Sequence, residues 1–469
     1  METLGYRLIK EEIITESQVN LALERQKHHG GRLGENLIAL GFITEKDVEH
    51  VFRTRPLPPK TLDDTGLDLE FIAELVLKHS LFMGEFKIAE LSERVKLPFS
   101  VIDQAIDSLR RNKYLEIKGG SGYASSTYTF KTSETGKSYG AELLKLCHYV
   151  GPAPVTLDAY QATVRRQTVK SILIPEDDVK RGFSHLIVRE SILEMIGPAI
   201  SSGKAIFIYG PPGNGKTAIA ETVGRLLSDT VFIPYALMVG GQIISIFDPV
   251  SHTIVEADNP SAPFDHRWVL VKRPVVMTGG ELEMKRLDLE FNSISKYYEA
   301  SLQMKANNGL FIVDDFGRQQ IEPRQLLNRW IVPLDRGIDF MTLHTGMKFS
   351  IPFDMVVIFA TNLTPDNLVD EAFLRRIQYK IRIDRPNEEE YRAIFESACN
   401  SNGIAFDQDS LDYLIENYYR KLKVDFNACH PRDLLDHIKV RSRYFHRKTE
   451  VTKENLDAAW ACYYVHLSN

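Results

Sequence analysis

Residues 210–217 read Gly210, Pro211, Pro212, Gly213, Asn214, Gly215, Lys216 and Thr217, a Gly-x-x-x-x-Gly-Lys-Thr run. Its glycines let backbone N–H groups close around anionic oxygens, Lys216 adds a point charge, and the Thr217 hydroxyl is a hard ligand for Mg²⁺. The combination suits the phosphates of a nucleoside triphosphate, and the whole run is assigned to binding one. Asp314 and Asp315 close the apolar stretch 310–313. From a strand end one carboxylate can hold a cation while its neighbour orients or deprotonates a water, so Asp314 is assigned to the metal and Asp315 to the water. Asn362 follows a second apolar stretch, 355–359, where an amide can reach a γ-phosphate or the attacking water. Arg375, Arg376 and Arg432 carry guanidiniums of the kind that stabilise charge spreading over γ-oxygens. Lys216, Asp315, Asn362, Arg375, Arg376 and Arg432 are therefore the candidate catalytic residues, with Thr217 and Asp314 as metal ligands. ATP and Mg²⁺ are the expected cofactors.

These residues need a scaffold that brings strand ends together. Short apolar runs at 205–209, 231–234, 310–313 and 355–359 alternate with helical patterns, the signature of a mostly parallel sheet. The longer segment 236–304 carries expected hairpin strands at 268–271 and 275–277. Beyond Pro386 the pattern turns helical, at 388–399, 410–419, 431–444 and 453–464, and reads as a small helical lid over a core at 187–384.

Ahead of the core, Leu4, Gly5, Leu8, Ile14, Thr15, Glu16 and Val19 recur in the same order as Leu33, Gly34, Leu37, Ile43, Thr44, Glu45 and Val48. Thr15 with Gln18 and Thr44 with Asp47 sit at helix N-cap and N3 positions, so residues 1–56 are expected to form a duplicated helical unit. Pro56, Pro58 and Pro59 break the periodicity. A second unit over 65–150 shows helices at 71–81, 87–95, 99–109 and 139–149, with strands at 114–117 and 127–132 around a glycine turn. Residues 151–186 read as a linker.

A chain of 469 residues implies about three or four domains of roughly 100–200 residues. With 43% hydrophobic and 26% charged residues, and no run near the ~18 apolar residues of a membrane span, a water-soluble globular protein is expected. Met1, Glu2, Thr3 and Leu4 are unlike a secretory leader, so the expected location is cytoplasmic. Cys147, Cys399, Cys429 and Cys462 lack metal or disulfide spacing. The net charge of −6 gives no global attraction to nucleic acid or anionic membrane.

The ordered set from Gly210 to Arg432 resembles an AAA+ ATPase over roughly residues 170–469. The resemblance makes 210–217 the Walker A loop, Asp314 and Asp315 the Walker B pair, Asn362 sensor 1, Arg375 and Arg376 arginine-finger candidates and Arg432 sensor 2. Many such proteins carry Glu where this chain has Asp315. The 297–310 stretch, the 325–334 helix and a 349–352 turn look like MoxR-type and Mg-chelatase-type members. Residues 1–56 resemble the amino-terminal domain of type II secretion and type IV pilus assembly ATPases, some of which bind cyclic di-GMP. Arg32, Leu33, Gly34 and Gln26 match that pattern, whereas Thr3 stands for Arg and Arg55 for Gln. Residues 65–150 resemble a winged helix, whose second helix starts at Phe99, Ser100, Val101 and Asp103, a surface suited to protein more than DNA. The expected fold class is thus multidomain α/β: a small helical domain, a winged helix, a P-loop AAA+ parallel-sheet core and a helical lid. The resemblance implies a homo-oligomeric ring, a hexamer being favoured, that hydrolyses ATP to remodel a protein client. A DNA-binding helper, a slow ATP switch and a cyclic di-GMP-responsive regulator of pilus or secretion machinery stand as alternatives.

Overall fold

The computed structural model describes residues 8–9, 13–30, 33–44, 55–119, 127–256, 264–364 and 375–464. Readings on Thr3, Leu4, Gly5, Arg32, Glu45, Asp47, Val48, the turn at 120–122 and the stretch 371–374 lie outside the described residues. The architecture is mixed α/β around a parallel sheet. Among the described residues no helix is long and apolar enough to cross a membrane.

Helices α1 (Glu16–His29) and α2 (Leu33–Ala39) pack around Leu8, Val19, Ala22 and Leu37. The Thr15 N–H donates to the Gln18 side chain at 2.8 Å, closing the cap that starts α1. After the prolines come α3 (Leu69–Ser80), β1 (Glu85–Phe86), α4 (Ile88–Val95), α5 (Phe99–Arg111), β2 (Leu115–Gly119), β3 (Thr129–Thr132) and α6 (Glu134–Leu146). The strands pair antiparallel in the order β1-β3-β2. Leu91 and Val95 on α4 and Ile102, Ile106 and Leu109 on α5 recur at helical spacing and are buried against α3. α6 starts earlier than the expected 139 because Ser133 caps it, accepting the Gly136 N–H at 2.9 Å.

Residues 151–186 are built into the fold and do not run as a linker. β4 (Val155–Thr156) joins a sheet, α7 (Leu157–Arg166) buries Tyr160 and Val164, and α8 (Glu176–Phe183) buries Val179 and Phe183. Short helices with one narrow apolar stripe and many exposed charges give a weak hydrophobic signal, so the run reads as a connector in sequence.

The remaining core elements are α9 (Glu190–Ser201), β5 (Ile206–Tyr209), α10 (Lys216–Leu226), β6 (Thr230–Pro234), β7 (Ala236–Val239), β8 (Gln242–Ser245), β9 (Trp268–Lys272), β10 (Val275–Thr278), β11 (Glu290–Asn292), β12 (Tyr297–Glu299), β13 (Leu310–Val313), α11 (Pro323–Arg336), β14 (Ile338–Thr342), β15 (Lys348–Pro352), β16 (Val356–Thr361) and β17 (Tyr379–Arg382). Five strands form the central sheet in the order β10-β13-β16-β5-β17, every neighbouring pair parallel. β13 and β16 are buried along their whole length, as strands covered on both faces must be. Trp330 of α11 fills one layer, edge-on to Phe311 with ring centroids 5.2 Å apart.

Several strand expectations need correction. The 231–234 run is not in the central sheet; it is β6, paired antiparallel with β9. The expected hairpin of 268–271 with 275–277 does not form, because β10 leaves β9 to become the edge strand beside β13. An apolar run states burial but not which sheet buries it. Residues 349–352 are strand, not turn: β15 pairs with β14 as a hairpin. β17 was not anticipated at all, since its sequence, Tyr379-Lys380-Ile381-Arg382, alternates polar and apolar residues over only 4 residues.

A second five-stranded sheet, β11-β12-β8-β7-β4, holds the insert segments. Its residues Ala236 and Ile243 share a core with α3, α4 and α5. Buried Arg267 locks the junction: it pairs with Asp265 at 2.8 Å and donates to the carbonyls of Thr65 (2.9 Å) and Pro154 (3.3 Å). Past β17, α12 (Glu388–Ser401), α13 (Gln408–Leu414), α14 (His430–Tyr444) and α15 (Lys453–Tyr463) enclose Tyr391, Phe395, Leu434, Ile438 and Trp460.

Candidate nucleotide site

The 210–215 loop lies between the end of β5 and the first residue of α10. Its backbone takes a positive φ at three glycines, Gly210, Gly213 and Gly215 (φ 82°), and a side chain would also be crowded at the first two. Gly210 has φ 143°, and a Cβ there would stand 2.0 Å from the Ile383 carbonyl oxygen; Gly213 has φ 76°, with Cys429 Sγ 2.7 Å from where a Cβ would be. Lys216 is largely buried, and its ammonium donates to the carbonyls of Gly210 (3.0 Å) and Pro211 (2.8 Å). Burial pushes Lys216 below the usual lysine range, while Asp315 and Asp314 nearby oppose that shift.

Three neighbouring strand ends meet this loop. The Thr217 hydroxyl donates to Asp314, 2.9 Å from Oδ2 and 3.1 Å from Oδ1. Asp315 takes a left-handed backbone, φ 48°, unusual for a residue with a Cβ and tolerable for Asp. Its N–H donates to Asp314 Oδ1 at 3.0 Å, and the next N–H, on Phe316, donates to the Ala360 carbonyl at 2.7 Å. Asn362, at the end of β16, donates from Nδ2 to Asp315 Oδ1 at 3.1 Å. The loop threonine, both carboxylates and the amide thus form one continuous hydrogen-bonded chain. Hard oxygens of Thr217 and Asp314 converge as a Mg²⁺ site requires.

The lid sits directly on the loop. Asn214 is buried; its amide donates to Asn427 Oδ1 at 3.2 Å, and its carbonyl oxygen accepts the Ala428 N–H at 3.1 Å. The Cys429 N–H donates to the Gly213 carbonyl at 2.9 Å. The same amide donates to the loop carbonyls of Pro211 (3.3 Å) and Pro212 (3.2 Å), so Asn214 ties loop to lid, and Asn427, Ala428 and Cys429 join the site without having been anticipated. The one sequence signal for them is position: they immediately precede the His430-Pro431 start of α14. Arg432 lies in the first turn of α14, 71% exposed at its side chain and 3.4 Å from Asp433. His430 behind it is buried, bonded to the hydroxyls of Tyr419 (2.9 Å) and Tyr464 (2.9 Å) and 3.2 Å from Asn427 Nδ2. Burial pushes His430 down to about 4.

Arg375 and Arg376 are not brought to this loop. β17 runs parallel to β5 with Tyr379 opposite Ile206 and Arg382 opposite Tyr209. The arginines precede Tyr379, whereas the loop follows Tyr209, so they lie at the opposite end of the sheet, separated by a strand length of roughly 10 Å or more. There Arg376 pairs with Asp335 at 2.8 Å. Both arginines line a cleft of about 490 Å³ with Lys170, Lys204 and Asp335.

A family model described as "Domain of unknown function (DUF8689)" matches residues 387–462, the helical segment over the loop. The vesicular-fusion protein SEC18 of Saccharomyces cerevisiae is 43% identical over 49 residues, 10% of this chain and 6% of that protein. Among solved structures, NtrX from Brucella abortus in complex with ADP aligns with a TM-score of 0.36 and 14% identity, over 60% of this chain and 56% of that one. The Holliday junction branch migration motor RuvB of Thermotoga maritima aligns with a TM-score of 0.33 and 12% identity, over 64% and 73%. The chain spans little more than half of the NtrX chain it matches and a small fraction of SEC18.

Proposed function

We propose that this chain is a Mg²⁺-dependent ATP hydrolase of AAA+ type that works as a ring of copies on a protein client. The observation that carries the reading is the hydrogen-bonded chain Thr217–Asp314–Asp315–Asn362 beside the glycine loop. Thr217 and Asp314 would hold Mg²⁺, which when bound supplies charge neutralisation on the phosphate oxygens. Gly213 and Gly215 free the loop backbone to wrap phosphate, and Lys216 turns from the loop carbonyls to the anion. Asp315 accepts the proton of the attacking water, and Asn362 holds that carboxylate in place.

Arg375 and Arg376 lie at the far end of the same sheet, so they serve a γ-phosphate held by a second copy, and a complete site needs assembly. Arg432 at the start of α14 is the candidate that acts on its own chain's nucleotide. The antiparallel three-stranded unit with α3, α4 and α5 supports a winged-helix reading. Its Ser100 hydroxyl donates to the Lys60 carbonyl at 3.1 Å, so the first turn of α5 already faces the chain's own segment, which favours a protein-docking role over DNA reading.

Steady-state ATP hydrolysis per subunit, measured across protein concentration for the parent and Lys216→Ala, tests the proposal. Turnover should rise with concentration and fall at least about a hundredfold in Lys216→Ala. Unchanged turnover in that variant refutes the site.

A further inference from the structure

The far end of α14 combines charge and exposed apolar surface. Residues 437–449 contain Lys439, Arg441, Arg443, Arg447 and Lys448, with His437 and His446 and no carboxylate, in a chain of net charge −6. A helix dipole favours cations in a last turn, but it asks for no apolar surface there. Val440 is 69% and Tyr444 76% exposed, one helical turn apart on the same face. Phe445, also exposed, has the guanidiniums of Arg441 and Arg447 at 5.4 and 5.7 Å from its ring centroid and Tyr444 edge-on at 5.0 Å. Carboxylates approach from the flanks: Glu454 stands 3.7 Å from Arg441 and 3.8 Å from Arg447, Glu450 2.7 Å from Lys448, and Asp436 3.9 Å from Lys439. They leave the face positive, and among the described residues Arg443 has no ion pair.

We propose that this face of α14 binds single-stranded nucleic acid. The charge selects a polyanion. An acidic protein surface would satisfy the cations but gives Tyr444 no flat partner, and a duplex keeps its base faces stacked inside. A single strand offers both, phosphates to Arg443, Arg447 and Lys448 and an unpaired base to the Tyr444 ring. A second basic stretch, at the end of α5, lacks this pairing of features, because the ring beside it, Tyr114, is already stacked on Tyr139 with centroids 4.8 Å apart. With 15 residues, α14 places the face about 20 Å from the loop at its other end, so strand binding and nucleotide binding use separate surfaces.

Fluorescence anisotropy with the full chain and a labelled single strand of about 20 nucleotides tests this. Binding is expected at about 50 mM salt, weakening steeply by about 200 mM. Tyr444→Ala should weaken it about tenfold at fixed salt with the salt slope unchanged, and Arg443→Ala should reduce the slope by about 0.7. Both variants should keep the parent's thermal transition, and a double variant Arg110→Ala, Arg111→Ala should bind like the parent. Absence of binding at low salt overturns the proposal. So does binding that survives Tyr444→Ala and Arg443→Ala but is lost with Arg110 and Arg111. Equal competition by polyglutamate, charge for charge, would reassign the face to an acidic protein.

Discussion

The two ends of the central sheet are built to opposite specifications. At the carboxyl end, where β5, β13 and β16 finish, Thr217, Asp314, Asp315 and Asn362 are tied to one another by hydrogen bonds and roofed by Asn427 and Cys429. At the amino end, Arg375, Arg376, Lys170 and Lys204 line an open cleft with Asp335. One end fixes carboxylates beside a glycine loop, the arrangement proposed above to take a cation and a triphosphate; the other concentrates cations away from that loop. Under the proposed function neither end alone would be a complete phosphoryl-transfer site, because the carboxylates and the two arginines are held a sheet's length apart. On the proposed reading the two ends are complementary half-sites, which a head-to-tail contact between copies would bring together.

The sharpest attempt to break this contrast is a mixing experiment. Arg375→Ala or Arg376→Ala should cut hydrolysis by about a thousandfold if that guanidinium completes a second copy's site, while leaving ATP binding intact. Lys216→Ala should be inactive for the opposite reason, having lost its own loop charge. Mixing the two variants should restore measurable turnover, since a Lys216→Ala copy still lends its arginine to a neighbour with an intact loop. A mixture no more active than its components would place each arginine's role within its own chain.

A smaller effect, about a hundredfold in turnover with nucleotide affinity retained, is expected of Asp315→Asn, which removes the proposed proton acceptor but keeps a hydrogen-bonding partner for Asn362. Asp315→Glu sharpens the point. A longer carboxylate reaches further toward water, but the backbone at φ 48° accepts Asp more readily than Glu. The expected outcome is no gain in rate and a stability loss of about 1 kcal/mol in the melting transition. A faster, equally stable Asp315→Glu protein would show that the left-handed turn imposes no choice of residue.

The contrast also explains what was legible in the sequence. That the glycine loop, Asp314, Asp315 and Asn362 lie together was legible because each stands within a few residues of the end of an apolar run that forms a sheet strand. β6 and β9 were readable as strands, yet their partnership was not, since buried strands look alike whichever sheet receives them. β17 was invisible because four alternating residues carry too little signal. Asn427, Ala428 and Cys429 escaped because their role is a long-range contact with Asn214 and Gly213, and nothing in 427–429 alone encodes a partner so distant in the chain. Arg375 and Arg376 stood out by residue type, but only the register of β17 on β5 says which end of the sheet they occupy.

The smallest expected effect belongs to His430, behind the lid's contact with the loop. Burial holds its folded value down to about 4, with Asp433 opposing the shift and Arg385 adding to it, against roughly 6.5 in an unfolded chain. Between those values the unfolded chain binds the additional proton, so stability is fully present above about pH 6.5 and is lost as pH falls toward 4. At about pH 5.5 the loss amounts to about 1 kcal/mol. Melting temperature measured against pH should therefore fall over this window in the parent, with a shallower fall in His430→Gln. Because His430 lies 3.2 Å from Asn427, which holds Asn214, the same protonation should loosen the loop's roof and raise the KM for ATP. The arginine end lies at the opposite end of the sheet from the lid's contact with the loop, so the recovery of turnover in mixed variants should keep its ratio to the parent across the same pH range. Identical pH slopes in the parent and His430→Gln would detach the lid's buried histidine from both stability and nucleotide binding.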